Sequence, residues 1–114
     1  MKIELPFVID SKFADLKVKE FVVSLEKILG KELFEIALKK KSVRSGRGKM
    51  RGRRYKTSAG ALIVVGENEK FKSKNFDVVK VKSLSVNDLA EADAIGRLTL
   101  YTESAIKDLG EKFK

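Results

Sequence analysis

Four short apolar runs punctuate the chain: LPFVI (5–9), ALIVV (61–65), VVKVK (78–82) and RLTLY (97–101). Each is rich in β-branched or aromatic residues and bounded by turn formers, the pattern of a strand. The first two are continuously apolar, as strands covered on both faces are. The third alternates Val79 and Val81 with Lys80 and Lys82, which predicts a strand at a sheet edge. Pro6 fits the start of the first strand, or a strand exposed along one side.

Helical periodicity fills the intervals. Val18, Phe21, Val22, Leu25, Ile28 and Leu29 recur at steps of three and four, and Gly30 stands where a helix stop belongs. Asp15 or Ser11 is the expected cap at the start of this helix. A second, shorter helix is expected over about 32–41, with Lys39–Lys41 complementing the dipole at its C-terminal end. Ser85-Val-Asn-Asp88 is a capping-box pattern opening a brief turn of helix. Thr102 is expected to cap a last helix, with Ile106, Leu109 and Phe113 along one face. The stretch 67–76, ENEKFKSKNF, is too polar and short to predict as a helix. Strands alternating with helices give an α/β class: a parallel or mostly parallel sheet with helices on both faces.

Composition narrows the picture. The 114 residues suit one domain, and 43% apolar with 36% charged residues is a globular balance that excludes a wholly disordered chain. The absence of cysteine excludes disulfides and thiolate chemistry, and the absence of histidine removes the commonest general acid–base. No apolar run approaches the ~18–20 residues of a membrane span. The N-terminus lacks a signal-peptide pattern, so the expectation is a soluble, intracellular protein with no membrane partner.

Charge changes the picture most. KKKSVRSGRGKMRGRRYK (39–56) holds ten Lys and Arg and no acidic residue; removing those ten from the 25 basic residues leaves 15 against 16 acidic. The net charge of +9 therefore resides in this one segment. Residues 42–60 are rich in Gly and Ser and nearly devoid of apolar groups, so the segment cannot offset its ordering entropy by burial. It is expected to be a long flexible basic loop, ordered on a partner. Five arginines, with forks that bind phosphate bidentately and stack on bases, together with Tyr55 and interleaved glycines, point to nucleic acid and to RNA in particular. A solvated charge run, a nuclear-targeting signal and an anionic-lipid patch are the other readings.

Other chemistry is thin. Gly46, Gly48 and Gly52 miss the dinucleotide fingerprint by one position and follow no strand. Lys49 is not followed by Ser or Thr, so the phosphate-loop pattern fails too. The loop also enters the amino end of strand 61–65, whereas small ligands in open α/β sheets bind at carboxyl ends. Glu67/Glu69 and Asp88/Glu91/Asp93 are possible cation clusters, better explained by capping and solubility. Ser104 has no base and lies in a first helical turn. Arg97, after Gly96, is the one isolated cation added to the binding face. Two alternatives to RNA binding remain open on the residues alone. One is a small-nucleotide-dependent α/β enzyme using the strand ends near Gly66 and Thr102; the other is a regulatory module docking an acidic protein.

RSGRGKMRGRRYK (44–56) followed by GALIVVGE (60–67), and the ending GRLTLYTESAIKDL (96–109), resemble the large-subunit ribosomal protein L-four family, archaeal and eukaryotic branch. LPFVID, the long helix and Gly30 are also similar. The resemblance covers nearly the whole chain and is to the C-terminal half, without the family's N-terminal region and tunnel-lining loop. Two departures stand out: EADAIG (91–96) replaces a Pro-Gly-x-His turn, and the helix after GALIVVG is cut short. The resemblance implies a three-layer α/β/α domain with a four-stranded parallel or mixed sheet. It also implies a structural, non-enzymatic protein of the cytoplasmic ribosome that needs no cofactor or metal, with large-subunit rRNA and neighbouring ribosomal proteins as partners. The implied RNA-binding residues are Arg44, Ser45, Gly46, Arg47, Gly48, Lys49, Met50, Arg51, Gly52, Arg53, Arg54, Tyr55, Lys56 and Arg97; the basic stretch itself adds Lys41 to the binding set.

Overall fold

A computed structural model of the chain describes residues 4–92 and 96–114; Asp93, of the possible carboxylate cluster, lies outside them. Strands β1 (Phe7–Ile9), β4 (Leu62–Val65), β5 (Asp77–Lys80) and β6 (Thr99–Thr102) form one sheet in the order β1-β6-β4-β5. All its pairings are parallel, with Leu62 level with both Asp77 and Thr99. Helix α1 (Val18–Ala37) covers one face, and α3 (Glu103–Lys112) covers the other with the turn at Val81–Ser83. A short α2 (Val86–Ala90) lies between β5 and β6. The expected three-layer α/β/α architecture is what forms.

Burial follows strand position. The four residues of central β4 are all buried: Ile63 and Val65 meet the α1 layer, Leu62 and Val64 the α3 layer. β5 is an edge, as its alternation predicts. β1 is the other edge, and its Val8 is 45% exposed, so its continuous apolarity overstated its cover. Within α1, Phe21, Leu25 and Leu29 form the i, i+4, i+8 stripe that is buried. Each such side chain contributes about 1.5–3 kcal/mol by leaving water.

Local signals succeed where they are self-contained. Ser85 and Asp88 form the capping box, and Thr102 Oγ1 accepts from the Ala105 N–H at 3.2 Å. Elsewhere the boundaries move. Asp10, not Ser11 or Asp15, provides a cap, and it caps a separate 3-10 turn at Ser11–Asp15; α1 starts at Val18, with Lys17 at its N-cap position making no side-chain cap bond. Gly30, with φ +78°, breaks the helical dihedrals as a stop residue should. Helix resumes at once, however, and ends at Ala37. Lys39–Lys41 are therefore not a helix terminus. On α3, Ala105 is buried and Leu109 packs beside it, while Ile106 and Phe113 face outward. Residues 67–76 cross from β4 to β5 without a helix, anchored by Phe71 and Phe76 against the Phe21 ring at centroid distances of 4.9 and 6.0 Å.

The basic segment carries secondary structure of its own. β2 (Lys41–Val43) and β3 (Tyr55–Thr57) pair antiparallel as a separate two-stranded ribbon, joined by a 3-10 turn at Arg47–Arg51. The radius of gyration is 15.5 Å, against about 13 Å for a compact chain of this length. The principal extents of 48 × 30 × 29 Å fit a body with one projecting arm.

Candidate nucleic-acid interface

The ribbon is zipped by backbone bonds. Lys41, Ser42 and Val43 stand opposite Thr57, Lys56 and Tyr55. The Arg44 N–H donates to the Arg54 carbonyl at 2.8 Å and the Ser58 N–H to the Lys40 carbonyl at 3.0 Å, extending the ladder at both ends. At the tip the Arg53 N–H reaches the Gly48 carbonyl at 2.9 Å. An isolated two-stranded ribbon is marginal in water, so its placement depends on its root.

That root is held by residues far apart in sequence. Ala61 N–H donates to the Ala37 carbonyl at 2.9 Å, joining the two legs where they leave the sheet and α1. Gly60 makes this approach possible: its φ is +69°, and a Cβ there would stand 2.7 Å from the Ala37 oxygen. Arg97 lies beneath, its side chain 1% exposed. Its Nε–H donates to the Gly60 carbonyl (3.0 Å), Nη1 to the Asp88 carbonyl (3.1 Å) and the Glu91 carboxylate (3.4 Å), and Nη2 to the Ala59 carbonyl (2.9 Å) and the Asp77 carboxylate. A guanidinium has five N–H groups, and all five are used. The second Asp77 oxygen accepts from Lys39 Nζ at 2.6 Å, at the start of the other leg. Burial pushes the Asp77 carboxyl up, but the hydrogen bonds and charges of Lys39 and Arg97 outweigh it and hold the group below the ordinary carboxylate range.

The structure brings fourteen of the fifteen expected RNA-binding residues together and sets one apart. Lys41 and residues 44–56 all lie on the ribbon, exposed except for half-buried Gly48. Arg97 does not join them. It is enclosed at the amino ends of the strands with no N–H left for a phosphate, which corrects its expected place on the binding face. Sequence reading missed Asp77 and Lys39 as anchors. The one available signal was Asp77 itself, the only acidic residue among the lysines of 70–82.

The carboxyl ends of the strands, where a nucleotide enzyme would place its ligand, are filled by the chain's own side chains. Glu69 Oε2 accepts from the Gly66 N–H (2.8 Å) and from Thr102 Oγ1 (2.7 Å), and Asp108 accepts from the Glu67 N–H (3.0 Å). A Cβ at Gly66 would meet Ser104 at 2.8 Å, and Ser104 Oγ pairs with Ser11 Oγ at 3.1 Å. The proposed cation clusters serve structure: Glu67 accepts from the Lys82 N–H, Asp88 completes a capping box and Glu91 meets Arg97.

Fold and surface together define a small α/β domain with a polycationic arm at the amino edge of its sheet. No family model matches the chain. It is 38% identical to large ribosomal subunit protein uL4 of Methanosphaera stadtmanae over 97% of this chain and 45% of that protein. The uL4 proteins of Methanocaldococcus jannaschii and Thermoplasma volcanium are 38% and 42% identical, over 96% and 94% of this chain and 46% and 44% of theirs. Over nearly its whole length the chain is therefore similar in sequence to part of these uL4 proteins, as the motifs around the ribbon and at the C-terminal end imply. It spans about 45% of the length of these curated relatives.

Proposed function

We propose that this chain is a structural RNA-binding component of the large ribosomal subunit in the cytoplasm, with no catalytic role. In this reading the ribbon grips rRNA and neighbouring ribosomal proteins pack on the α/β body. The observation that carries it is the ribbon: ten cations of a protein similar in sequence to part of uL4 stand on one arm, and only Lys39 among them is tied to a carboxylate among the described residues. Side chains in such an array release counterions when they meet phosphates, and their guanidinium forks match phosphate geometry. The ribbon, marginal by itself, is immobilised on the RNA.

Binding of the purified chain to protein-free large-subunit rRNA tests this directly. With about six to ten phosphate contacts, log affinity falls against log salt with a slope of about −0.7 to −0.9 per contact. Replacing Arg51, Arg53 and Arg54 together by Ala weakens binding by orders of magnitude while far-UV circular dichroism is unchanged. An affinity indifferent to salt overturns the reading.

A further inference from the structure

The ribbon has two chemically different faces, because side chains alternate along each strand and directly opposed residues share a face. On one face stand Lys41, Val43, Tyr55 and Thr57. There the Lys41 ammonium lies 4.3 Å from the centroid of the Tyr55 ring and the Arg54 guanidinium carbon 5.8 Å from it. These cations are engaged with an aromatic ring. The other face carries Lys40, Ser42, Arg44 and Lys56, and it is hollowed. Toward the tip, Arg44, Arg53 and Lys56 surround an open hollow of about 300 Å³ floored by Gly46 and Gly48. Toward the root, Lys40, Ser42, Lys56 and Ser58 line a second hollow of about 640 Å³. Its one carboxylate, Glu91, is paired with Arg97.

Lys56 borders both hollows. Two residues along a strand advance by about 7 Å, so Ser42 and Arg44 are spaced on the scale that separates neighbouring phosphates of one RNA strand. Gly48 keeps the tip hollow open: a Cβ there would press on Arg44 Cδ at 3.3 Å. Arg44, Arg53 and Lys56 make no ion pair among the described residues.

We propose that a single RNA strand runs along this hollowed face, seating consecutive phosphates at the Arg44/Arg53/Lys56 tip hollow and the Lys40/Ser42/Lys56 root hollow, and that the Tyr55 face is turned away from the phosphate backbone. The inference rests on the RNA-binding reading and assigns unequal roles to residues that alternate in sequence.

The test compares two double variants of the full chain, R44A/K56A and K41A/Y55A, with a loop-wide variant lacking all five loop arginines. Affinity for protein-free large-subunit rRNA is measured across a salt series, with circular dichroism to confirm folding. R44A/K56A is expected to weaken binding at least tenfold and to flatten the salt slope by about 1.4–1.8, two contacts' worth. K41A/Y55A is expected to weaken binding less than R44A/K56A and to lower the slope by less than one contact's worth. Equal effects of the two pairs, or a larger effect of K41A/Y55A, overturn the face assignment. So does a loss confined to the loop-wide variant. If even the loop-wide variant binds like the unaltered chain, it is the RNA-binding reading that fails.

Discussion

Arg97 and Asp77, twenty residues apart in sequence, form an ion pair at the amino ends of β5 and β6 that fastens both legs of the ribbon. The arginine holds the carbonyls of Ala59 and Gly60 on one leg; the aspartate holds Lys39 on the other. A guanidinium from one segment and a carboxylate from another thus set where the polycationic arm leaves the body.

Arg97→Met is expected to destabilise the fold by about 3 kcal/mol, because it strands a partly buried carboxylate and three carbonyl oxygens. Arg97→Lys recovers little, since an ammonium cannot serve five acceptors spread in a plane. Urea unfolding measures both. RNA affinity of the folded variants should keep the unaltered salt slope; a slope reduced by a full contact would show that Arg97 reaches phosphate after all.

Acid should loosen the ribbon root. The Asp77 pKa is depressed in the fold, so its stabilisation is complete above the ordinary carboxylate value of about 3.9 and is lost as pH falls through the lower folded value. Asp77→Asn removes that part of the pH dependence and lowers stability near neutrality. Unfolding midpoints from pH 7 down to pH 2 provide the check, and parallel curves for the two proteins would contradict it.

Two glycines with positive φ separate backbone strain from steric collision. Gly30→Ala meets nothing within 4 Å and should destabilise by about 1 kcal/mol through its dihedral alone. Gly60→Ala adds a collision with the Ala37 oxygen and should lose about 2–3 kcal/mol. Thermal unfolding of the pair should preserve that order.

Thr102→Val removes the α3 cap and the hydroxyl that donates to Glu69, whose other carboxylate oxygen is buried without a partner among the described residues. A loss of about 2 kcal/mol is expected, with Thr102→Ser close to the original. Chemical denaturation of the three proteins tests the ranking, and a stability unchanged in the valine variant would assign the cap no weight.

Much of this was legible along the chain. The all-apolar ALIVV run announced a central strand covered on both faces. Ser85 with Asp88 and Thr102 with Glu103 announced helix starts, since a cap is made by residues within one turn. Lys39–Lys41 were misread because cations after an amphipathic stretch look alike whether they finish a helix or follow it. Ile106 and Phe113 were assigned to a buried face by periodicity, which marks an apolar stripe without saying how far the neighbouring layer extends.

By itself the sequence determined the α/β class, the central strand and the gathering of the positive charge into one segment. These are consequences of local periodicity and composition, which need no distant partner. Only the tertiary structure decided which cations belong to the interface. Arg97 looks like the ribbon arginines in sequence, but Asp77, Ala59, Gly60, Asp88 and Glu91 converge on it and consume every donor. Strand register likewise decided that Arg44 and Lys56 share a hollowed face while Lys41 packs over Tyr55. A cation's role depends on which acceptors surround it, and those acceptors come from segments that only folding brings together.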